Sequence, residues 1–204
     1  AAAMPKDGRR GVKRAERVAK EAGVVIKDET GMDRATFDEV YRVLEETSER
    51  DGFTPHSADV YWTMLTTLGE QARMYVARLD GRPVAWVLVV VNGISAVAYY
   101  GASTTADRAT RAAEATDWYA ACDLATKGYK GYDFMGAGST RVPELYSVGM
   151  YKKRFAQHPT EVDGAWDVPV QRPVFEALVA AKKAKHLVRK ATVVASKASE
   201  AIKR

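Results

Sequence analysis

An unbroken run of eight apolar residues, Val84–Val91, constrains the fold of this chain more than any other sequence feature. The run is too short to span a bilayer, and a strand that is apolar at every position is typical of a sheet that is covered on both faces. Turn residues flank it, Asp80-Gly81-Arg82-Pro83 before and Asn92-Gly93 after. Because Asn-Gly between apolar runs is a strong hairpin signal, we predict an antiparallel meander of strands 72–79, 84–91 and 94–101.

Helices and further strands are predicted on both sides of this meander in the chain. Phe37, Val40, Tyr41 and Leu44 recur with helical spacing, which predicts an amphipathic helix over 33–50 with Asp33 as its N-cap. The other predicted elements are a basic helix at 6–22, a strand at 24–26, helices at 57–68 and 106–127, a strand at 132–135, a short helix or turn at 148–155, a strand at 160–168 and a C-terminal helix from 175.

This order of elements is typical of an α/β (α+β) fold, and it resembles the core of GNAT-type acyltransferases. We therefore expect a GNAT-like acyltransferase fold, in which helices flank a mixed, mainly antiparallel sheet. The predicted division is a basic N-terminal helix at 1–22, a GNAT-like domain at 23–168 and a basic helical segment at 169–204.

Both ends of the chain are basic, although its net charge is only +5. Residues 1–20 carry seven basic and two acidic side chains, and residues 182–204 carry eight and one, so the middle is acidic. Basic ends indicate a polyanion or a membrane surface as partner, but lysine-rich helices are also often just solvated, and both interpretations stay open. The single cysteine, Cys122, excludes an internal disulfide and is expected to be a buried small hydrophobe.

Several common kinds of active site do not fit this sequence. Three histidines and one cysteine are too scattered for metal-ligand spacing, so we predict neither a metal nor another cofactor. The chain has no G-x-S-x-G motif and no G-x-x-x-x-G-K-[ST] motif. The acetyl-CoA loop that is usual in GNAT enzymes, [Q/R]-x-x-G-x-[G/A], is not found after the meander, where Tyr100–Thr105 stands instead.

Four short segments carry a more specific resemblance: Arg50-Asp51-Gly52-Phe53-Thr54-Pro55, Tyr99-Tyr100-Gly101-Ala102-Ser103, Tyr132–Gly138 and Met150-Tyr151-Lys152-Lys153-Arg154-Phe155-Ala156. In this order and at roughly these spacings they resemble the second half of the Fem-type aminoacyl-tRNA-dependent peptidyltransferases, which build peptidoglycan cross-bridges on a GNAT-like fold. The resemblance spans about Arg9–Ala181. Family members carry two GNAT-like domains, so the resemblance implies that the first of them is missing here.

The resemblance also implies roles for individual residues. Lys152 matches the family's catalytically important lysine, and a fixed ammonium can stabilise the oxyanion that forms during aminoacyl transfer. The implied substrate-binding residues are His56, which replaces a family arginine, with Tyr61, Tyr100, Tyr151, Gly136 and Gly138. The residues expected to bind the phosphates of the tRNA are Arg10, Lys13, Arg14, Lys153 and Arg154.

Three hypotheses for the function stay open. In the first, the chain is part of an enzyme that transfers an amino acid from aminoacyl-tRNA to a UDP-linked or lipid-linked muramyl-peptide precursor, in the cytoplasm and with peripheral membrane contact. The second is an acyl-CoA-dependent GNAT N-acyltransferase, and the third is a non-catalytic domain that binds RNA or membrane. We further expect Lys152 to share a cleft with Tyr100 and the loop 136–140, and Asp117 and Asp123 to be surface carboxylates.

Overall fold

The computed structural model of this chain describes residues 4–138, 142, 145–156, 160, 167–182 and 184–185. The chain forms two units, Ala1–Pro159 and Thr160–Arg204. The first unit contains five α-helices and five strands within its described residues: α1 Lys6–Glu21, β1 Val25–Asp28, α2 Arg34–Asp51, α3 Ala58–Leu68, β2 Ala72–Leu79, β3 Arg82–Asn92, β4 Ser95–Ser103, α4 Ala112–Thr126, β5 Gly131–Asp133 and α5 Tyr146–Lys152.

The strands form one sheet in the order β1-β2-β3-β4-β5. All neighbours are antiparallel except β4 and β5, which are parallel. The predicted meander is confirmed, and the apolar run Val84–Val91 lies in the central strand. The mixed sheet flanked by helices, predicted from the order of elements, is therefore confirmed as well.

Alternate residues of β3 pack on opposite faces of the sheet. Trp86 and Leu88 face α2 and α3, in a core that includes Phe37. Val87 and Val89 face α4, in a second core. Helix α1 packs outside α4 through buried alanines. Because both faces are covered, a strand that is apolar at every position is the expected one here.

Local signals set several helix ends as predicted. The Asp33 carboxylate caps α2 by accepting a hydrogen bond from the Thr36 main-chain N–H, at 2.8 Å. Gly52 ends the same helix with a left-handed backbone, φ 74°. The predicted helix 106–127 is broken instead, because Arg111 adopts φ 55° between a 3₁₀ turn at Arg108–Thr110 and α4.

The second unit is described at residues 160, 167–182 and 184–185. A helix covers 172–182, and an Arg172–Glu176 ion pair of 3.0 Å lies along it. The predicted strand 160–168 falls mostly on residues 161–166, which lie outside the described residues, as does the predicted helix beyond 185. Among the residues that the structure describes, no helix has the length and apolar character needed to cross a bilayer.

Candidate functional site

A β-bulge in β4 builds the first half of the candidate site. Leu88 pairs with Tyr100 while the next residue, Val89, pairs with Ala98, so Tyr99 is an extra residue in β4. Ala98 packs with the α4 side of the sheet, whereas Tyr100 packs with the α2 and α3 side. A bulge shifts the alternation of side chains by one residue, and this one turns Tyr100 toward α3.

Tyr100 joins a cluster of aromatic side chains on that face. Its ring lies edge-on to the Tyr61 ring, with 4.7 Å between the centroids. Tyr61 also lies 6.1 Å from the His56 ring and 5.8 Å from the Tyr41 ring, and the Tyr41 hydroxyl donates to the His56 carbonyl. Burial raises the pKa values of Tyr61 and Tyr100, so both hydroxyls stay protonated and can donate. The structure thus brings together the predicted substrate-binding residues His56, Tyr61 and Tyr100.

β4 and β5 separate after three residue pairs. The two strands pair only from Ser95 to Val97, opposite Gly131 to Asp133. Beyond that point β4 continues to Ser103, while β5 has ended. The main-chain groups that β4 presents on this side are therefore unpaired with β5 from Ala98 onward, and they can bind an extended ligand as an added strand would.

The loop after β5 leads to Lys152. Close backbone contact joins this loop to α5, because a Cβ at Gly138 would lie 2.4 Å from the Tyr146 Cα and a Cβ at Gly149 would lie 2.7 Å from the Gly138 N. The Lys152 Nζ donates to the Gly136 carbonyl at 2.7 Å. Gly136 and Gly138 therefore position the loop against α5. That Lys152 and Tyr100 share one cleft stays a prediction.

The charge of Lys152 is set by opposing effects. Burial lowers the pKa of its ammonium, and the nearby carboxylates of Asp117 and Asp133 act in the opposite direction. A partly buried lysine with carboxylates close by can stabilise negative charge that develops on a substrate.

Asp117 of α4 is the residue that sequence reasoning missed. It was expected on the surface, but its carboxylate accepts hydrogen bonds from the hydroxyls of Tyr132 and Tyr151, so that expectation is wrong. Burial raises the pKa of Asp117 to about 6, against the lowering effect of the two tyrosines and of Lys152. The spacing of Glu114 and Asp117 places both carboxylates on one side of α4, but it does not distinguish them from surface carboxylates.

Two other expectations about α4 are corrected. Asp123 is only partly exposed, because its carboxylate accepts the Tyr75 hydroxyl at 2.6 Å and pairs with Lys127. Cys122 was expected to be buried, but it is exposed. It lines a groove of about 230 Å³ between α1, β1 and α4, with Trp118 on the same rim. The groove leaves this side of α4, with Cys122, open to solvent.

The predicted phosphate-binding residues lie on α1 and directly after α5, and these two helices meet at one end. Arg10, Lys13 and Arg14 are exposed on α1. The start of α1 meets the end of α5, since a Cβ at Gly8 would lie 2.0 Å from the Arg154 carbonyl oxygen. The Arg154 guanidinium itself pairs with the buried Glu114.

Lys153 differs from Arg154 in what surrounds its charge. Its Nζ lies 5.7 Å from the centre of the Tyr146 ring, a cation–π distance, and the residue is exposed. A phosphate can approach Lys153 directly, whereas at Arg154 it must compete with Glu114. In the part of the chain that the structure describes, no three His, Cys, Asp or Glu side chains are placed to hold a metal ion.

The acetyltransferase (GNAT) domain profile matches residues 6–153. This chain belongs to the GNAT acetyltransferase family. The match contains the whole sheet and ends one residue after Lys152. The family indicates the activity of a GNAT-type acyltransferase. No curated protein sequence matches the chain significantly.

Solved structures of several acyltransferases share the fold. FemX aligns with a TM-score of 0.64 and 16% identity, over 74% of this chain and 54% of FemX. The chain thus spans about half the length of FemX. The aminoglycoside acetyltransferase meta-AAC0020, from an uncultured soil metagenomic sample, aligns at 0.54 and 15%, over 72% of this chain and 96% of its own.

A third structure is the C-terminal domain of a putative lysylphosphatidylglycerol synthetase from Agrobacterium fabrum. It aligns with a TM-score of 0.53 and 15% identity, over 72% of this chain and 48% of its own. At such identities these similarities show the fold alone.

In this GNAT domain, the segment between β4 and α4 carries carboxylates where the usual acetyl-CoA loop would stand. Glu46 accepts a hydrogen bond from the Thr105 main-chain N–H at 2.7 Å. Asp107 accepts from the Thr104 hydroxyl at 2.7 Å and from Arg82 at 2.9 Å. A diphosphate placed here would compete with Glu46 for a main-chain donor, whereas the charge of Asp107 is paired with Arg82.

Proposed function

We propose that this chain is the second GNAT-like domain of a Fem-type peptidyltransferase, which transfers an amino acid from aminoacyl-tRNA to an amine of a peptidoglycan precursor peptide. Lys152 carries this proposal: it matches the family's lysine, and its ammonium donates to the Gly136 carbonyl in the loop after β5. The four sequence motifs supply the family, and FemX, a similar fold, supports it.

The geometry suits the chemistry of aminoacyl transfer. The neutral amine of the acceptor attacks the ester carbonyl, a C–N bond forms, the bond from carbon to the 3′-oxygen of the tRNA breaks, and the proton of the amine ends on that oxygen. Negative charge develops on the carbonyl oxygen and then on the leaving oxygen. A fixed ammonium near that point stabilises both, and this is the role we assign to Lys152.

The aromatic cluster is the proposed acceptor side of the site. Tyr100 offers a partly exposed ring and a protonated hydroxyl on the α3 side of the sheet, the buried Tyr61 ring supports it, and the exposed His56 lies beside Tyr61. Such groups suit the sugar, base and diphosphate of a UDP-linked muramyl peptide, or the headgroup of its lipid-linked form. A cytoplasmic location, with membrane contact when the acceptor is lipid-linked, follows from this choice of substrate.

The basic residues are the proposed tRNA contact. Arg10, Lys13 and Arg14 are exposed on α1, and Lys153 is exposed at the end of α5, next to the start of that helix. Exposed cations on α1 and directly after Lys152 suit the phosphates that precede the aminoacylated adenosine. A first GNAT-like domain, supplied from outside this chain, is part of the proposal.

The rival function is acyl transfer from acyl-CoA, which the acetyltransferase domain profile favours. Glu46 of α2 argues against it, because its carboxylate already accepts the Thr105 main-chain N–H where the usual diphosphate-binding loop would stand.

A transfer assay tests the choice of donor. The chain is incubated with UDP-muramyl-pentapeptide and either a pool of tRNA charged with radioactive amino acids or radioactive acetyl-CoA, with and without a Fem-type first domain. We expect label to pass to the pentapeptide from charged tRNA only. Label from acetyl-CoA alone would replace the proposal by its rival.

A further inference from the structure

Helix α4 presents two carboxylates to the end of α5, and each takes one residue of the segment Tyr151–Arg154. Asp117 accepts the hydroxyl of Tyr151, and Glu114, one turn earlier, pairs with the guanidinium of Arg154. Lys152 lies between these two anchors and donates to the Gly136 carbonyl. Helix α4 thus anchors the residue before Lys152 and the second residue after it, and the loop after β5 accepts its ammonium.

Asp117 contacts β5 as well as α5. It also accepts the hydroxyl of Tyr132 on β5, at 3.3 Å, so it ties α5 to the strand that ends at the loop. The Tyr151 ring lies tilted against Phe155 with 5.5 Å between their centres, and the Phe155 ring lies 4.5 Å from that of Phe134, the residue after β5. Burial raises the pKa values of Tyr132 and Tyr151, so both tyrosines remain donors.

The charged groups around Lys152 come from two elements. Asp117 on α4 and Asp133 at the end of β5 both favour the ammonium form, while burial opposes it. Glu114 faces Asp117 and repels it, but Arg111 and Arg154 neutralise Glu114. Asp117 is therefore the carboxylate that combines a charge near Lys152 with a hydrogen bond to the adjacent residue.

We propose that Asp117 is a positioning residue: its carboxylate fixes Tyr151, and with it the last turn of α5, and its negative charge favours the ammonium form of Lys152. The proposal rests on the role of Lys152 in the proposed function. The charge and the hydrogen bond are two separable contributions, because Tyr151→Phe removes the bond and keeps the charge, whereas Asp117→Asn removes the charge.

The chain offers a matched control on the same helix. Asp123 accepts the Tyr75 hydroxyl at 2.6 Å and pairs with Lys127, so Asp123→Asn also removes a partly buried carboxylate that holds a tyrosine. Its two partners lie on β2 and directly after α4 rather than on α5. A second control is internal, since Lys153 is exposed and directly follows Lys152.

The test measures the reactivity of Lys152 without any substrate. Wild type, Asp117→Asn, Tyr151→Phe and Asp123→Asn are labelled with trace isotope-coded acetic anhydride from pH 6 to 11, and peptide mass spectrometry resolves Lys152 from Lys153. In Asp117→Asn we expect the pH midpoint of Lys152 labelling to fall and its rate at pH 8 to rise about three- to tenfold. Lys153, and Lys152 in the other two variants, should keep the wild-type midpoint.

Either of two labelling results would overturn the role of the charge: an unchanged Lys152 midpoint in Asp117→Asn, or an equal fall in Asp123→Asn. If Asp117→Asn does not fold, Asp117→Ser, with a smaller side chain that still accepts a hydrogen bond, takes its place. The transfer assay tests the position separately: Tyr151→Phe should lower kcat about tenfold, with KM nearly unchanged, and a wild-type kcat would contradict it. Failure of wild type to transfer from any charged tRNA would instead reject the proposed function and leave the labelling result valid.

Discussion

The two faces of the sheet both use tyrosines, but in different ways. On the α3 face, tyrosine rings contact other rings, as Tyr61 and Tyr100 do at 4.7 Å. On the α4 face, tyrosine hydroxyls donate to carboxylates, as Tyr75 does to Asp123 and Tyr151 does to Asp117. The ring contacts leave Tyr100 partly exposed toward a ligand, whereas the hydroxyl–carboxylate pairs fix backbone elements to one another. The first face is therefore suited to recognise a substrate, and the second to hold a charge in place.

Replacing Lys152 tests this division with the largest expected effect. We expect Lys152→Met to slow transfer by about 100- to 1000-fold, on the order of 3–4 kcal/mol, because one donor to the oxyanion is lost. The thermal midpoint should hardly change, since the ammonium has a single protein hydrogen bond. Transfer rates and thermal melts of both proteins check this. Equal rates would end the catalytic assignment, and a collapsed melt would make Lys152 structural.

The contact between α5 and the loop gives the next largest effect. A Cβ at Gly149 meets the Gly138 nitrogen at 2.7 Å, so Gly149→Ala should push α5 from the loop and slow transfer about 10- to 100-fold. Gly11→Ala is the matched control, because Gly11 is also helical and a Cβ there has nothing within 4 Å. That variant should keep the transfer rate and gain about 0.5–1 kcal/mol of stability. Similar rates for the two variants would mean that the loop contact is unimportant.

The aromatic face should respond in substrate binding rather than in turnover. Tyr100→Ala should raise KM for the muramyl-peptide acceptor about tenfold, because one aromatic surface is lost. Tyr119→Ala serves as the control, since Tyr119 is exposed on the other face and its ring lies edge-on to Tyr75. Initial rates at varied acceptor concentration separate KM from kcat. A fall in kcat alone for Tyr100→Ala would assign Tyr100 to the chemical step rather than to acceptor binding.

The smallest effect concerns the stability cost of Asp117. Its folded pKa of about 6 lies above the ordinary value of 3.8, so the folded state binds the proton more tightly than the unfolded state does. The stabilising contribution of the protonated carboxyl is present below pH 4 and is lost as the pH rises through about 6. At pH 8, Asp117→Asn should therefore be more stable than wild type by about 1–2 kcal/mol, after allowance for partial exposure.

Denaturant unfolding at pH 4.5 and pH 8 measures this difference. The two proteins should be nearly equal at pH 4.5 and should separate at pH 8. A variant that is less stable than wild type at pH 8 would mean that the tyrosine hydrogen bonds outweigh the burial of the charge.

Local signals made much of the fold predictable. Val84–Val91 and the turns beside it identified the meander, and Asp33 and Gly52 marked the ends of α2, because each acts on its immediate neighbours. The break at Arg111 was not predicted, since a positive φ at arginine depends on contacts made elsewhere in the fold.

The candidate site depends more on residues that are distant in the sequence. Tyr151 reaches Asp117 across 34 positions, and the bulge at Tyr99 appears only when β4 is paired with β3. Neither leaves a mark in the local pattern. The sequence predicted Lys152 through its family motif, but it could not predict that α4 supplies the carboxylate behind it.

Donor binding tests most directly whether the acyl donor is aminoacyl-tRNA, because the measurement needs neither the acceptor nor a further domain. Wild type and Lys152→Met are titrated with an RNA minihelix that ends in a non-hydrolysable 3′-aminoacyl amide, and with acetyl-CoA, at 50 and 200 mM salt. We expect the minihelix to bind with an affinity that falls steeply as the salt concentration rises. Lys152→Met and Lys13→Gln should both weaken minihelix binding, and acetyl-CoA should not compete with it. Tight binding of acetyl-CoA, with no binding of the minihelix, would contradict this expectation.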